Sequence, residues 1–229
     1  AAACALCTRR AESRPQELLC AHAGRLLTRR ALVGLAPRGW INDEVVNAYM
    51  ALLQARPGGP RRWHLSSYFW PKLASEGPKS VRRWARRASV SVPELELMVI
   101  PMNVAQGTHW AVAAVAPGAG EVAYLDSLGM KPPEGLAERL REWYQDASGQ
   151  AEPGLAPGRA AGAPRWGLLR AAVARQRNSW DCGPMACAFA ERLAAGVPPA
   201  EAGGAVSGDE RLVGVSRCAI AVALLRGWA

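Results

Sequence analysis

Cys182 is the residue in this chain best placed to act as a nucleophile. It lies in Gln176-Arg177-Asn178-Ser179-Trp180-Asp181-Cys182-Gly183-Pro184-Met185. Met185, Phe189 and Leu193 then recur at four-residue spacing, with small Ala186, Ala188 and Ala190 between them, so a helix is predicted with Cys182 at its mouth. Pro184 suits the first helical turn, where a missing N–H costs nothing. Gly196 and Pro198-Pro199 mark the stop. A thiol at that position feels the positive end of the helix dipole, which favours thiolate over thiol. An isolated cysteine is more often a buried structural residue, but the neighbours of this one favour a nucleophile.

Such a cysteine needs a base and a group to orient that base. The histidines are His22, His64 and His109. His64, between Trp63 and Leu65, reads as a packing residue. His109 opens His109-Trp110-Ala111-Val112-Ala113-Ala114-Val115, a predicted strand. Pro117-Gly118-Ala119-Gly120 turns the chain, and Glu121-Val122-Ala123-Tyr124-Leu125-Asp126 returns it. If the turn is Pro117-Gly118 alone, His109 faces Asp126 directly; if the loop is all four residues, the two are diagonal neighbours. Both registers place them on one face within side-chain reach, whereas a one-residue slip would separate them. Spacing alone brings neither to Cys182.

Five blocks, in order, resemble the ubiquitin-like-specific proteases, also called sentrin-specific proteases, which cleave SUMO and related modifiers. They are Leu27-Thr28-Arg29-Arg30 to Trp40-Ile41-Asn42-Asp43-Glu44-Val45, then Ser66-Ser67-Tyr68-Phe69-Trp70-Pro71 with Val81-Arg82-Arg83-Trp84, then Gly107-Thr108-His109-Trp110, Tyr124-Leu125-Asp126-Ser127-Leu128-Gly129, and Gln176 to Gly183. The resemblance implies a papain-like α+β fold, with a central mixed or antiparallel sheet flanked by helices. It implies a catalytic set of Cys182, His109 and Asp126, with Gln176 and the Cys182 N–H receiving an oxyanion. Trp40 and Trp110 would cover a narrow tunnel for a Gly-Gly tail, and Asp43 and Arg30 would meet the modifier. The expected reaction is cleavage after a C-terminal Gly-Gly through a thioester, for deconjugation, precursor maturation or both, with no cofactor and no metal. Asn178-Ser179-Trp180 before Asp181-Cys182 resembles the branch acting on the Nedd-type modifier, as does Gly107-Thr108-His109-Trp110. The Leu27, Val81 and Leu125 blocks resemble the SUMO branch, and SUMO is favoured. Pro184 stands where the family more usually has methionine. An effector-type acetyltransferase and an inactive modifier-binding module are the other classes consistent with a similar triad.

The chain has 229 residues, half of them hydrophobic, and reads as one domain. No stretch approaches the roughly 20 apolar residues of a membrane span, and no signal peptide is visible. Six cysteines are too few for a disulfide scaffold, and a reactive thiol fits a reducing compartment, so an intracellular site in nucleus or cytoplasm is expected; a monomer is expected as well. Net charge is +9. Its densest segment, Lys79 to Arg87, places Lys79, Arg82, Arg83, Arg86 and Arg87 on one side of a helix, opposite Val81, Trp84 and Ala88. That reads as a solvated face, and nucleic acid is not expected as a partner. Cys4-x-x-Cys7 has zinc-knuckle spacing, but Cys20 and His22 are too close together for the usual second pair.

Residues 1–25 read as a flexible start and 26–229 as the catalytic domain. A helix is predicted from about Pro15 to Arg30 and another from Trp40 to Gln54, with Asn42 or Asp43 as N-cap. Leu95 to Pro101 reads as a buried strand, Leu136 to Tyr144 as a short amphipathic helix, Trp166 to Val173 as an edge strand and Ile220 to Trp228 as a docked terminal helix. The Ala/Gly/Pro-rich stretch 146–164 reads as a flexible insertion, and Pro198 to Gly208 as a loose one. Helices, then a central sheet, then helices again suggest α+β.

Overall fold

The computed structural model describes residues 14–22, 25–56, 61–149, 166–169, 171–204, 206 and 208–226. Its elements run β1 (Leu18–His22), β2 (Arg25–Thr28), α1 (Arg29–Leu32), α2 (Asp43–Gln54), β3 (Arg62–His64), α3 (Phe69–Glu76), α4 (Pro78–Val81), α5 (Trp84–Arg87), β4 (Leu97–Val104), β5 (His109–Ala116), β6 (Glu121–Leu125), α6 (Leu136–Ser148), β7 (Gly167–Leu169), α7 (Cys182–Ala194) and α8 (Glu210–Arg226). The α+β expectation holds.

A mixed five-stranded sheet in the order β3-β4-β5-β6-β7 forms the centre. Its middle strands are antiparallel, whereas β3 on β4 and β7 on β6 are parallel. Both faces are covered, which is why β4 and β5 read as continuous apolar runs rather than alternating ones. Period-two alternation then decides which side each residue serves. Val99, Val112, Ala114 and Leu125 face one core with α2, α7 and α8. Met98, Ile100, Met102, Ala113 and Val115 face a second core built on Trp63, Phe69, Trp70 and Trp143. Small residues, Ala114 on β5 and Ala186 and Ala190 on α7, share that core and let α7 lie close on the strand.

Several boundaries differ from the sequence reading. Instead of a helix from Pro15 to Arg30, β1 and β2 pair as an antiparallel ribbon, and only Arg29–Leu32 is helical. The leucines there satisfy a helical count, but Leu18 and Leu26 are exposed and Leu27 alone of β2 is buried, so the segment has no apolar stripe to bury as a helix. The ribbon also places β1 within the stretch expected to be a flexible start. Thr28 caps α1 by accepting from the Ala31 N–H, and buried Arg29 pairs with Glu17 at 2.8 Å. Asn42 is the N-cap of α2, its Oδ1 accepting from the Val45 N–H at 3.0 Å, so Trp40 and Ile41 lie before the helix.

The basic segment forms two short helices rather than one, because Val81 and Ala85 are the residues it buries. All five cations are exposed. The stretch 146–164 begins inside α6, with Asp146 to Ser148 helical and Gly149 closing it at φ +69°; the rest of that expectation lies outside the described residues. Pro198 to Gly208 is less loose than its composition suggests, since Ala202 is fully buried and its carbonyl accepts from Arg192 Nε at 3.1 Å. Among the described residues, no helix is long and apolar enough to cross a membrane.

Candidate active site

α7 begins at Cys182 itself, with Asp181 as its N-cap, and the cysteine is 4 % exposed. The preceding loop is wound on Asn178. Its Oδ1 accepts from the N–H of Trp180 (3.1 Å) and of Asp181 (3.0 Å), and its Nδ2 donates to Asp181 Oδ2 at 2.8 Å. Asparagine favours such local turns because its short amide reaches its own backbone. On the same helix Cys187 is fully buried among apolar groups, which pushes its thiol pKa well above the ordinary value.

His109 is the first residue of β5. It follows a tight reversal in which Ala105, Gln106 and Gly107 all have left-handed φ. The β5–β6 register pairs Val112 with Leu125 and Ala116 with Glu121, so all four residues from Pro117 to Gly120 form the loop. His109 and Asp126 are therefore diagonal neighbours, with His109 Nε2 at 2.9 Å from Asp126 Oδ1. Asp126 Oδ1 also accepts from the N–H of Leu128 (2.7 Å) and Gly129 (3.0 Å), and Oδ2 accepts from the Tyr124 hydroxyl at 3.3 Å. Burial alone would raise the Asp126 pKa, but the bonds and charge of His109, with those two backbone donors, hold it below its ordinary value.

For His109, burial acts to lower the pKa, and hydrogen bonds to Asp126 and Cys182 together with their charges outweigh it, raising the value to about 9. This is the contact that spacing could not supply. With Nε2 committed to Asp126, Nδ1 is the nitrogen left for the sulfur. The charged pair contributes stability fully below the ordinary histidine value of 6.5, and that contribution fades as pH rises through about 9. The Asp126 contribution has the opposite sign, present above its ordinary 3.8 and lost as pH falls through its depressed value. We expect kcat/KM for acyl cleavage to fall as pH rises through about 9, when His109 loses the proton a leaving amine needs. A pH–rate profile on the folded protein checks this, and a rate still climbing above that limb would contradict it.

Gln176 is buried beside this set. Its N–H donates to the Ser127 carbonyl (3.1 Å), its Oε1 accepts from the Ser127 hydroxyl (2.6 Å), and its Nε2 donates to the Asn178 carbonyl. Ser127 thus fixes which end of the amide is which, and Nε2 retains a second N–H for an oxyanion.

Trp40, Asp43, Thr108, Trp110, Trp180 and Cys182 line one cavity of about 310 Å³. Trp110 is 6 % exposed, its Nε1–H bonded to the Ile41 carbonyl at 3.0 Å, while Trp40 is 53 % exposed. Asp43 accepts from the Tyr68 hydroxyl, a bond that raises the Tyr68 pKa. Arg30 is exposed, and the contacts described for the cavity do not include it. The helix start fits under Trp110 because residue 183 is glycine. A Cβ there would lie 2.2 Å from Ile41 Cγ1 and 3.3 Å from Trp110 Cδ1. Gly183→Ala should therefore displace a buried neighbour, destabilise by about 1–3 kcal/mol and cut cleavage. Thermal unfolding and turnover measured together check this; if neither changed, Ile41 would have swung clear.

The description that matches the chain by family is the Ulp1 protease family, C-terminal catalytic domain, over residues 39–202. The chain belongs to the Ulp1 protease family. Rat sentrin-specific protease 2 is 30 % identical over 190 residues, covering 80 % of this chain and 31 % of that protein. The chain thus spans about 31 % of the length of the curated relatives it first matches. The Ulp1-like SUMO protease catalytic domain of Chaetomium thermophilum superposes with a TM-score of 0.74 at 26 % identity, over 99 % of this chain and 89 % of that one. The yeast C-terminal Ulp1 protease domain, solved in complex with Smt3, superposes with a TM-score of 0.80 at 22 % identity, over 99 % and 95 % of the two chains, and so shares the fold.

Within this Ulp1-family site, sequence reasoning missed Trp180 as a cavity wall, Ser127 as the partner of Gln176, and Arg217 on α8. The first two sat inside motifs already singled out. Arg217 carried one signal, the single charge between Leu212 and Leu225 on its helix, and it is 3 % exposed in the fold. Among the described residues no cluster of histidine, cysteine and carboxylates could hold a metal; Cys4 and Cys7 lie outside them.

Proposed function

We propose that this chain is the catalytic domain of a thiol protease that cuts after the C-terminal Gly-Gly of a ubiquitin-like modifier, SUMO in the first place, from precursors, from lysine conjugates or from both. The observation that carries this reading is the cavity itself, which Trp40, Trp110 and Trp180 line together with Cys182. A tail threaded between indole rings has no room for Cβ atoms, so glycine passes and bulkier residues clash. The names of the relatives point the same way.

In the proposed mechanism Cys182 Sγ gives its proton to His109 and attacks the carbonyl carbon after the second glycine. The carbonyl oxygen becomes an oxyanion held by the Cys182 N–H and the free N–H of Gln176 Nε2. The loss of one such donor costs about 3 kcal/mol of transition-state stabilisation. As the tetrahedral adduct collapses, the C–N bond breaks and His109 protonates the leaving amine. Water, deprotonated by His109, then attacks the thioester and returns the thiol. Asp126 keeps the ring in the orientation that both steps need. No cofactor enters.

A reducing compartment, nucleus or cytoplasm, suits a free nucleophilic thiol, and a monomer suffices because one chain supplies the whole set. The Nedd-type modifier is the second reading, favoured by Asn178-Ser179-Trp180 and by the place of Trp180 in the cavity wall. Covalent capture with a panel of modifiers bearing C-terminal electrophiles separates the two. We expect a SUMO probe to label Cys182 fastest; labelling only by the Nedd-type probe would move the assignment, and labelling by none would remove it.

A further inference from the structure

Asp181 occupies the N-cap of α7, yet its side chain makes no capping bond. An aspartate there ordinarily accepts a first-turn N–H. Pro184 has none, so the donors within its reach are those of Cys182 and Gly183. The carboxylate is instead drawn away, Oδ2 to Asn178 Nδ2 and Oδ1 to the guanidinium of Arg217, at 2.9 Å from Nη2 and 3.3 Å from Nε. Arg217 also donates from Nη2 to the Trp180 carbonyl (2.6 Å) and from Nη1 to the carbonyls of Gly34 (3.0 Å) and Ala36 (3.3 Å).

We propose that Arg217 is a positioning residue for catalysis: it holds the Asp181 carboxylate off the start of α7 and cancels its charge, reserving the helix N–H groups and positive end for the Cys182 sulfur and the oxyanion. The inference rests on the reading of Cys182 as nucleophile. A carboxylate one residue from a thiolate disfavours it by like charge. The charged and titratable groups about this loop come from each packed element. His109 with Asp126 behind it approaches from the β5–β6 hairpin, and Asp43 lies across the cavity at the start of α2. Arg38, over the Trp180 ring at 5.6 Å, and Cys218 line a smaller cavity of about 170 Å³ together with Arg217 and Asp181. Among them, Arg217 is the cation bonded to Asp181.

The test reads the sulfur without any modifier. The alkylation rate of Cys182 by iodoacetamide is followed against pH, site-resolved by peptide mass spectrometry, on the full chain. Arg217→Met should move the midpoint up by about one pH unit and lower kcat for modifier cleavage about tenfold with little change in KM. Adding Asp181→Asn should bring the midpoint most of the way back. An unmoved midpoint in Arg217→Met, or a double variant that stays with the single one, overturns the proposal. If Arg217→Met does not fold by circular dichroism, Arg217→Lys takes its place. It keeps the charge and gives up the fork, so the midpoint should stay while kcat falls, and an unchanged kcat overturns the positioning role. A parent protein alkylated at Cys182 that cleaves no modifier would sink the substrate reading and leave this one intact.

Discussion

Replacing Cys182 with serine should lower modifier cleavage by about 10⁴-fold or more while leaving modifier binding intact, since the side-chain volume barely changes and the thiolate is lost. His109→Ala should be nearly as damaging. Asp126→Asn should cost less, about 10²-fold, because the Leu128 and Gly129 N–H groups can still hold an amide oxygen while the preference for one tautomer goes. The matched control is His64→Ala. His64 is buried and held neutral, burial and then the nearby Arg62 and Arg56 lowering its pKa to about 4. Its loss should reduce melting temperature and leave kcat alone at temperatures where the protein is folded. Single-turnover cleavage on the four variants decides the matter, and an essential His64 beside a dispensable His109 would refute the triad.

The second large effect concerns the tail. A modifier ending Gly-Gly should be cut, and the same modifier ending Gly-Ala should be strongly disfavoured. Trp110 is nearly buried and tied to the Ile41 carbonyl, and Ile41 presses on Gly183. An added methyl must therefore displace a ring that cannot move without disturbing the start of α7, at a cost of about 1–3 kcal/mol. Trp110→Ala should slow the Gly-Gly substrate by about a hundredfold, since a drift of about 1 Å in the reacting carbonyl is enough, and it should narrow the gap between the two tails. The comparison is kcat/KM for both tails on both proteins. Equal rates on the parent would remove the tunnel, and with it the physical case for a modifier protease over a general peptidase.

The elements nearest the chemistry were the most legible in the sequence. Small and apolar residues at four-residue spacing after Cys182 favour a helix, and two apolar strands joined through Pro117 to Gly120 left few registers for His109 and Asp126. What was not legible was long-range. The leucines from Leu18 to Leu27 satisfy a helical count until one sees that Leu18 and Leu26 are exposed while Leu27 is buried and Leu19 only half so. The basic run from Lys79 to Arg87 breaks in the middle because Val81 and Ala85 anchor it at two points. Arg217 stood out only as a charge in an apolar run, since nothing local reveals that a residue 36 positions beyond Asp181 returns to bond it.

The short stretch from Gly34 to Ile41 has a consequence for how the protein comes into being. It receives Trp110 from 69 residues away and Arg217 from 183 residues away, and its Ile41 lies against Gly183, beside Cys182. Contacts that distant in sequence form late, because the closure of a long loop has to precede any gain from them. Refolding should therefore restore far-UV ellipticity before it restores cleavage, and a stopped-flow record of the two signals would show the lag; identical time courses would mean that fold and site close in one step. A nascent chain released before α8 has emerged would hold Cys182, His109 and Asp126 in order, yet lack Arg217, which bonds Asp181 and the Trp180 carbonyl. On the positioning role proposed for Arg217, full cleavage would then begin only once α8 has packed against that loop.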